Sequence, residues 1–208
     1  MGSPPVGELE GASLIIGITG GIGGGKSTFS ELLREKGYAV YDTDREAKCL
    51  QNEHPEIRRQ LTAEFGSEIY DENGQLDRKR LANLVFENPK LLSKLNKTIH
   101  PIVEQDFLEW QKKHVQEKIL FFESAILFES GFDKLTDKII VITAPENVRI
   151  ERVVKRDGVT HEHVRARIAN QMSETEKIKR ADFVLNSDGK RVLSENLDRI
   201  LFEIEKTC

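Results

Sequence analysis

Six side chains in this sequence have types and spacing that suit the handling of phosphate: Lys26, Ser27, Asp42, Asp44, Glu123 and Arg156. Lys26 and Ser27 close the run Gly20-Gly21-Ile22-Gly23-Gly24-Gly25-Lys26-Ser27, which has the form G-x-x-x-x-G-K-S. A polyphosphate needs many hydrogen-bond donors at short range. Glycines lack a Cβ, so their N–H groups can turn inward and approach the oxygens. A lysine at this place reaches the β- and γ-phosphates, and the serine hydroxyl ligates Mg²⁺. Gly21, Ile22, Gly23, Gly24, Gly25, Lys26, Ser27 and Thr28 are therefore the expected contacts of a nucleoside triphosphate, with Ser27 also on the metal.

These side chains act together only if elements of the fold hold them. Leu14 to Ile18 is a short apolar, β-branched run that reads as a buried strand. Thr28 to Lys36 reads as a helix, with Phe29, Leu32 and Leu33 on one face, and Gly37 stops it. Strand, glycine loop and helix, in that order, are the setting of a phosphate-binding loop.

Tyr38 to Tyr41 is a second strand with Asp42 and Asp44 just beyond its end. Ligands of open α/β sheets sit outside the C-terminal strand ends, so both carboxylates are expected at the crevice of the glycine loop. One can take a proton from an attacking hydroxyl; the other, Asp42, can hold Mg²⁺ through water. Lys118 to Ser124 is a third strand, apolar enough to be buried on both faces. Its terminal acid, Glu123, is a second candidate for Mg²⁺ through water. Lys138 to Thr143 and Ala181 to Asn186 are strands four and five. Asn186 opens a loop to Gly189 on the nucleotide side, where it can edge the base.

Between strands two and three the pattern turns helical. Ile57, Leu61 and Phe65 form a stripe, Asp77 caps one helix, Asn88-Pro89 starts another, and His100-Pro101 is expected to interrupt it. Such an insertion suits a large acceptor, and Arg78, Arg80 and His100 are candidates to contact an anionic one. After strand four, a helix from Pro145 carries Arg152 and Arg156. Thr160 caps the next, with Val164, Ile168 and Met172 expected on one face. This basic pair of helices reads as a lid whose arginines close over the phosphates.

Composition limits the alternatives. Of 208 residues 38% are hydrophobic and 32% charged, and the net charge is −4. A real core is affordable, and a nucleic-acid partner, which usually needs a basic face, is not expected. No apolar run is long enough to span a membrane. The two cysteines, Cys49 and Cys208, make neither a disulfide framework nor a metal spacing, which points to a reducing, cytoplasmic setting. Residues 1–13 read as a disordered leader or an appended segment.

The ordered set Gly20 to Thr28, Asp42-Thr-Asp44, His100-Pro101, Leu127-Phe-Glu129, Arg152-x-x-x-Arg156-Asp157, Arg167-Ile-Ala-x-Gln171 and Ala181-Asp182-x-x-x-Asn186 resembles the dephospho-coenzyme A kinases from about Leu14 to Leu201. The resemblance implies an α/β P-loop kinase: a five-stranded parallel sheet flanked by helices, with a helical acceptor-binding insertion and a helical lid. It implies a nucleotide-binding core (14–48, 115–145 and 176–208), an acceptor subdomain (49–114) and a lid (146–175). It further implies transfer of the γ-phosphoryl group of ATP to the ribose 3′-hydroxyl of dephospho-coenzyme A with Mg²⁺, the last step of coenzyme A biosynthesis, in a monomer or weak homo-oligomer. Carried over residue by residue, Asp44 resembles the general base. Lys26, Ser27 and Thr28 match nucleotide and metal positions, and Arg156 resembles the lid arginine; beside these, Arg152 is a candidate for the nucleotide, and Asp42, Arg78, His100 and Glu129 are candidates for the acceptor. Three departures stand out: Gly24 for a usual Ser, Ser124-Ala125 for a frequent Val-Pro, and Glu123 where many members have Asp.

Two other readings share the glycine loop. A shikimate-type kinase also pairs it with Asp-x-Asp, but its third strand leads into Gly-Gly-Gly, and Ser124-Ala-Ile-Leu follows here. A nucleotide-dependent switch needs a base-reading motif such as Asn-Lys-x-Asp, which this sequence lacks.

Overall fold

The computed structural model describes residues 13–86, 88–187 and 190–206. The expected leader lies outside them except for Ser13, as do Asp188 and Gly189 of the loop after Asn186. Five strands form one sheet: β1 (Leu14–Thr19), β2 (Ala39–Asp42), β3 (Ile119–Glu123), β4 (Lys138–Thr143) and β5 (Phe183–Asn186). Their order is β2-β3-β1-β4-β5 and every pair is parallel. β1 and β3 are thus inner strands, and all five residues of β3 are buried, as its unbroken apolar run predicts.

Helices α1 (Lys26–Glu35), α2 (Thr43–Glu53), α3 (Pro55–Phe65), α4 (Arg78–Phe86), α5 (Pro89–Lys113), α6 (Leu127–Ser130), α7 (Glu146–Asp157), α8 (His161–Ala169), α9 (Glu174–Lys179) and α10 (Lys190–Glu205) complete the described chain. Successive strand residues point to opposite faces, and the core divides accordingly. Ile16, Ile18, Phe121, Ile140 and Ile142 pack with Phe29 and Leu33 of α1 and Leu197 and Ile204 of α10. On the other face Tyr41, Phe122 and Val141 pack with Ile99, Val103 and Phe107 of α5. A third cluster joins α3 and α4 through Ile57, Leu61, Leu81 and Val85. A fourth joins α7 and α8 through Ile150, Val153 and Val164.

The structure corrects three expectations. His100-Pro101 does not interrupt the chain: α5 runs unbroken from Pro89 to Lys113 with Pro101 inside it. Proline in a helix forfeits one backbone hydrogen bond and crowds the preceding turn, at a cost of about 3 kcal/mol. Ile99, Val103 and Phe107 are buried around it, at roughly 1.5–3 kcal/mol each, which outweighs that loss. Met172 is not on α8, which ends at Ala169; it packs instead with the Tyr41 cluster. α1 begins at Lys26 rather than Thr28, so Lys26 and Ser27 stand in its first turn.

Candidate active site

The glycine loop is shaped by its neighbours. A Cβ on Gly20 would lie 2.1 Å from the Ile142 carbonyl oxygen, and one on Gly23, where φ is +76°, would lie 2.4 Å from that of Arg149. Backbone stands where a side chain would go, so only glycine fits either place. Gly24 donates to the Gly21 carbonyl at 2.9 Å, closing the turn. Lys26 Nζ, buried beneath, donates to the carbonyls of Gly20 at 3.0 Å and Gly21 at 3.3 Å. Burial pulls the Lys26 ammonium below its ordinary range, while Glu123 and Asp44 act the other way.

The acidic wall comes from the neighbouring strand ends. Parallel pairing puts Glu123 of β3 beside Asp42 of β2 and Ile18 of β1. Asp42 caps α2, accepting from Arg45 N at 3.1 Å, and Asp44 lies in that helix's first turn. Ser27 Oγ donates to Glu123 Oε1 at 3.3 Å. Burial pushes the Glu123 carboxyl up against the opposing pull of the Ser30 hydroxyl, while Asp42 and Asp44 add to the push and Lys26 resists it.

A cleft of about 630 Å³ gathers Ser27, Asp42, Asp44, Glu123 and Arg156, with Arg45, Lys48, Cys49, Asp157 and Arg167 completing its lining. The donor set fits Mg²⁺. Glu123 Oε2 is buried without a hydrogen-bond partner, and Ser27, Asp42, Asp44 and Glu123 offer only oxygens, the ligands a hard cation takes. Among the described residues no group of three His, Cys, Asp or Glu side chains can hold a metal alone. That suits an ion which keeps waters and shares phosphate oxygens.

The arginines divide into two sets. Arg156 lines the cleft, with Nε 2.7 Å from Asp157 Oδ1. Arg167 Nη1 is 3.1 Å from Asp157 Oδ2. Hydrogen bonding to Asp157 holds Arg156 above its usual range and Asp157 below its own. Arg152 points elsewhere, donating to Ser187 Oγ at 2.8 Å, to Ser187 O at 2.7 Å and to Gly23 O at 3.4 Å. It ties the end of β5 to the glycine loop. Asn186 stands exposed at that strand end, opposite Thr143.

Four acceptor candidates, Arg78, Arg80, His100 and Glu129, are not brought into the cleft. Arg78 donates to the Gln51 side chain and to Lys48 O at 2.8 Å, fastening α4 to the back of α2. Burial draws its guanidinium below the usual range. His100 and Glu129 line a separate, open groove of about 540 Å³ beside α5. The His100 ring packs against Phe132, and burial lowers its pKa. Glu129 Oε1 accepts from Met172 N at 2.7 Å and pairs with Lys177 Nζ at 3.0 Å.

Other residues matter that sequence reasoning left aside. Arg149 is 4% exposed and lies directly under the loop: a Cβ on Gly21 would fall 2.2 Å from its Nη1. It donates to Ala144 O at 3.0 Å and pairs with Glu174 at 2.7 Å, while Glu174 also accepts from the Thr143 hydroxyl. Gln171 Oε1 accepts from Ile22 N at 3.1 Å. Lys177, fully buried, donates to Ala125 O at 2.8 Å. The motif Arg167-Ile-Ala-x-Gln171 signalled Gln171. Nothing local signals a buried arginine, because arginines are mostly exposed.

The chain has similar relatives among known proteins. A family model described as dephospho-CoA kinase matches residues 14–192. The chain is 40% identical over 195 residues to a dephospho-CoA kinase of Fusobacterium nucleatum, covering 94% of this chain and 97% of that one. Among solved structures it is similar to the TT1252 protein of Thermus thermophilus (37% identity, TM-score 0.80, 92% and 97% of the two chains). It is also similar to a dephospho-CoA kinase of Campylobacter jejuni (27% identity, TM-score 0.68, 93% and 98%).

Proposed function

The chain belongs to the dephospho-CoA kinase family, and from that premise we propose which residues carry the family's reaction. That reaction moves the γ-phosphoryl group of ATP to the ribose 3′-hydroxyl of dephospho-CoA, giving coenzyme A and ADP. The shikimate-type and switch readings fall away with the family match. Asp44 is the base that takes the proton of the 3′-hydroxyl as its oxygen bonds the γ-phosphorus. The observation that carries this role is the cleft itself, which Asp44 lines together with Ser27 and Glu123.

The backbone N–H groups of Gly21 to Thr28 and the Lys26 ammonium hold the triphosphate. Ser27, Asp42 and Glu123 would hold Mg²⁺, which when bound neutralises charge on the β- and γ-phosphates. Arg156 offsets charge on the transferring phosphoryl oxygens, and Arg152 and Asn186 border the nucleotide from the β5 side. Residues 14–48, 115–145 and 176–208 form the nucleotide core, 49–114 the acceptor subdomain and 146–175 the lid. His100 and Glu129 serve the acceptor from the second groove, and Arg78 from behind α2. No helix among the described residues is long and apolar enough to cross a membrane. Cys49, an exposed free thiol, suits a reducing, cytoplasmic setting, and we read the enzyme as a monomer or weak homo-oligomer.

The deciding assay gives purified protein Mg-ATP with dephospho-CoA, shikimate or water and measures ADP. Release is expected to be fast with dephospho-CoA alone. Equal rates with dephospho-CoA and water would overturn the reading.

A further inference from the structure

The cleft holds cations on two walls, and only one wall is already engaged. Arg156 and Arg167 both bond Asp157. On the facing wall α2 presents Arg45 and Lys48. Both are exposed. Arg45 has only a loose contact, 3.8 Å, to Glu46. Among the described residues no acidic side chain lies within ion-pair distance of the Lys48 ammonium. Two exposed cations outside any close ion pair, in a cleft that already has a carboxylate base, suit a doubly charged anion.

Helix geometry says which anion. Lys48 follows Asp44 by four residues, so both lie on one face of α2, about 5–6 Å apart at Cβ. A group bound by Asp44 and a charge bound by Lys48 can therefore belong to one small unit. In a 5′-diphosphorylated ribonucleoside the 3′-hydroxyl and the 5′-carbon are on the same ring, and the diphosphate hangs from that carbon. The turn carrying Lys48 is fixed from behind, since Lys48 O accepts from Arg78 Nη2 at 2.8 Å. Arg78 thereby acts on the site as a positioning residue, through α2.

We propose that Lys48, with Arg45 beside it, binds the 5′-diphosphate of the acceptor nucleotide while Asp44 engages its 3′-hydroxyl. Acceptor selection then rests on the diphosphate as well as on the hydroxyl. This rests on the kinase reading above. The two fail differently: without that reading the unaltered protein does not phosphorylate dephospho-CoA at all.

The test is steady-state kinetics of Lys48→Ala, Arg45→Ala and Lys48→Arg, with dephospho-CoA or adenosine as acceptor. Adenosine keeps the 3′-hydroxyl but has no phosphate. Lys48→Ala should raise the KM for dephospho-CoA about tenfold or more, the scale of one lost charge-assisted hydrogen bond. The KM for ATP and the slow rate with adenosine should not change, and Lys48→Arg should restore most of the loss. Arg45→Ala should act in the same direction. The proposal is overturned if Lys48→Ala leaves the dephospho-CoA KM unchanged. It is overturned equally if the adenosine rate falls in step, since the residue would then support the helix rather than the diphosphate.

Discussion

Asp42 and Glu123 are direct partners across β2 and β3, two carboxylates at the same level of adjacent parallel strands. Their closeness follows from register, because parallel pairing brings both strands to the same edge of the sheet. It concentrates negative charge where the glycine loop ends, and Glu123 Oε2 is left buried and unpartnered. Such a pair is poorly stabilised by protein alone and well stabilised by a divalent cation.

Glu123→Gln should therefore separate stability from metal binding. Burial raises the Glu123 pKa, so the folded state binds this proton more readily than the unfolded state. The stability tied to that group is present below its ordinary range and is lost as pH rises through the native value. Without metal, the variant should have the higher Tm at pH 8, by on the order of 2 °C, and the gap should close towards pH 4. The same variant should lose most of the extra Tm that Mg-ATP gives the unaltered protein. Calorimetry across pH, with and without Mg-ATP, checks both; a pH-independent gap would count against a strained carboxylate.

Asp44→Asn keeps size and removes the base. kcat with dephospho-CoA should fall on the order of 10²-fold or more, with ATP affinity largely intact. Stopped-time ADP assays and nucleotide titration measure the two quantities. Near-normal kcat would remove Asp44 from the role of base.

Gly23→Ala should damage nucleotide binding without touching any charged group. The new methyl would meet Arg149 O at 2.4 Å in a backbone conformation that side chains disfavour. Strain of about 1–3 kcal/mol is expected, read as a lower Tm together with weaker ATP binding. Unchanged ATP affinity would mean that the loop is free to move off Arg149.

Pro101→Ala should stabilise the protein. Pro101 is exposed within α5, and alanine restores the missing backbone donor. A gain of about 1–3 kcal/mol is expected from helix preference, seen as a higher Tm with the KM for ATP unchanged. A fall in Tm would show that the proline ring packs productively against the His100 groove.

The strands, the loop and the carboxylates at Asp42, Asp44 and Glu123 were legible because each is a local pattern: apolar runs, glycine spacing, an acid at a strand end. Pro101 misled because a local rule, proline breaks helices, met a long-range packing face that outweighed it. His100 and Glu129 share a groove rather than the cleft. Periodicity reports which side of a helix is buried but not which neighbour buries it. Arg149 was invisible for a related reason. Its partners, Glu174 and the glycine loop, are distant in sequence, and its burial exists only once they meet.

The sheet order has a consequence for how the protein is made. β1 and its glycine loop are made before the strands they pair with: among the described residues β1 pairs with β3 and β4, so Leu14 waits for Ile119 and Ile16 for Lys138. Contacts of such sequence separation form late. The nascent chain thus carries its nucleotide motif without the scaffold that shapes it until β3 and β4 are made. A nucleotide that binds the loop once β3 and β4 flank β1 favours the completed fold over its precursors.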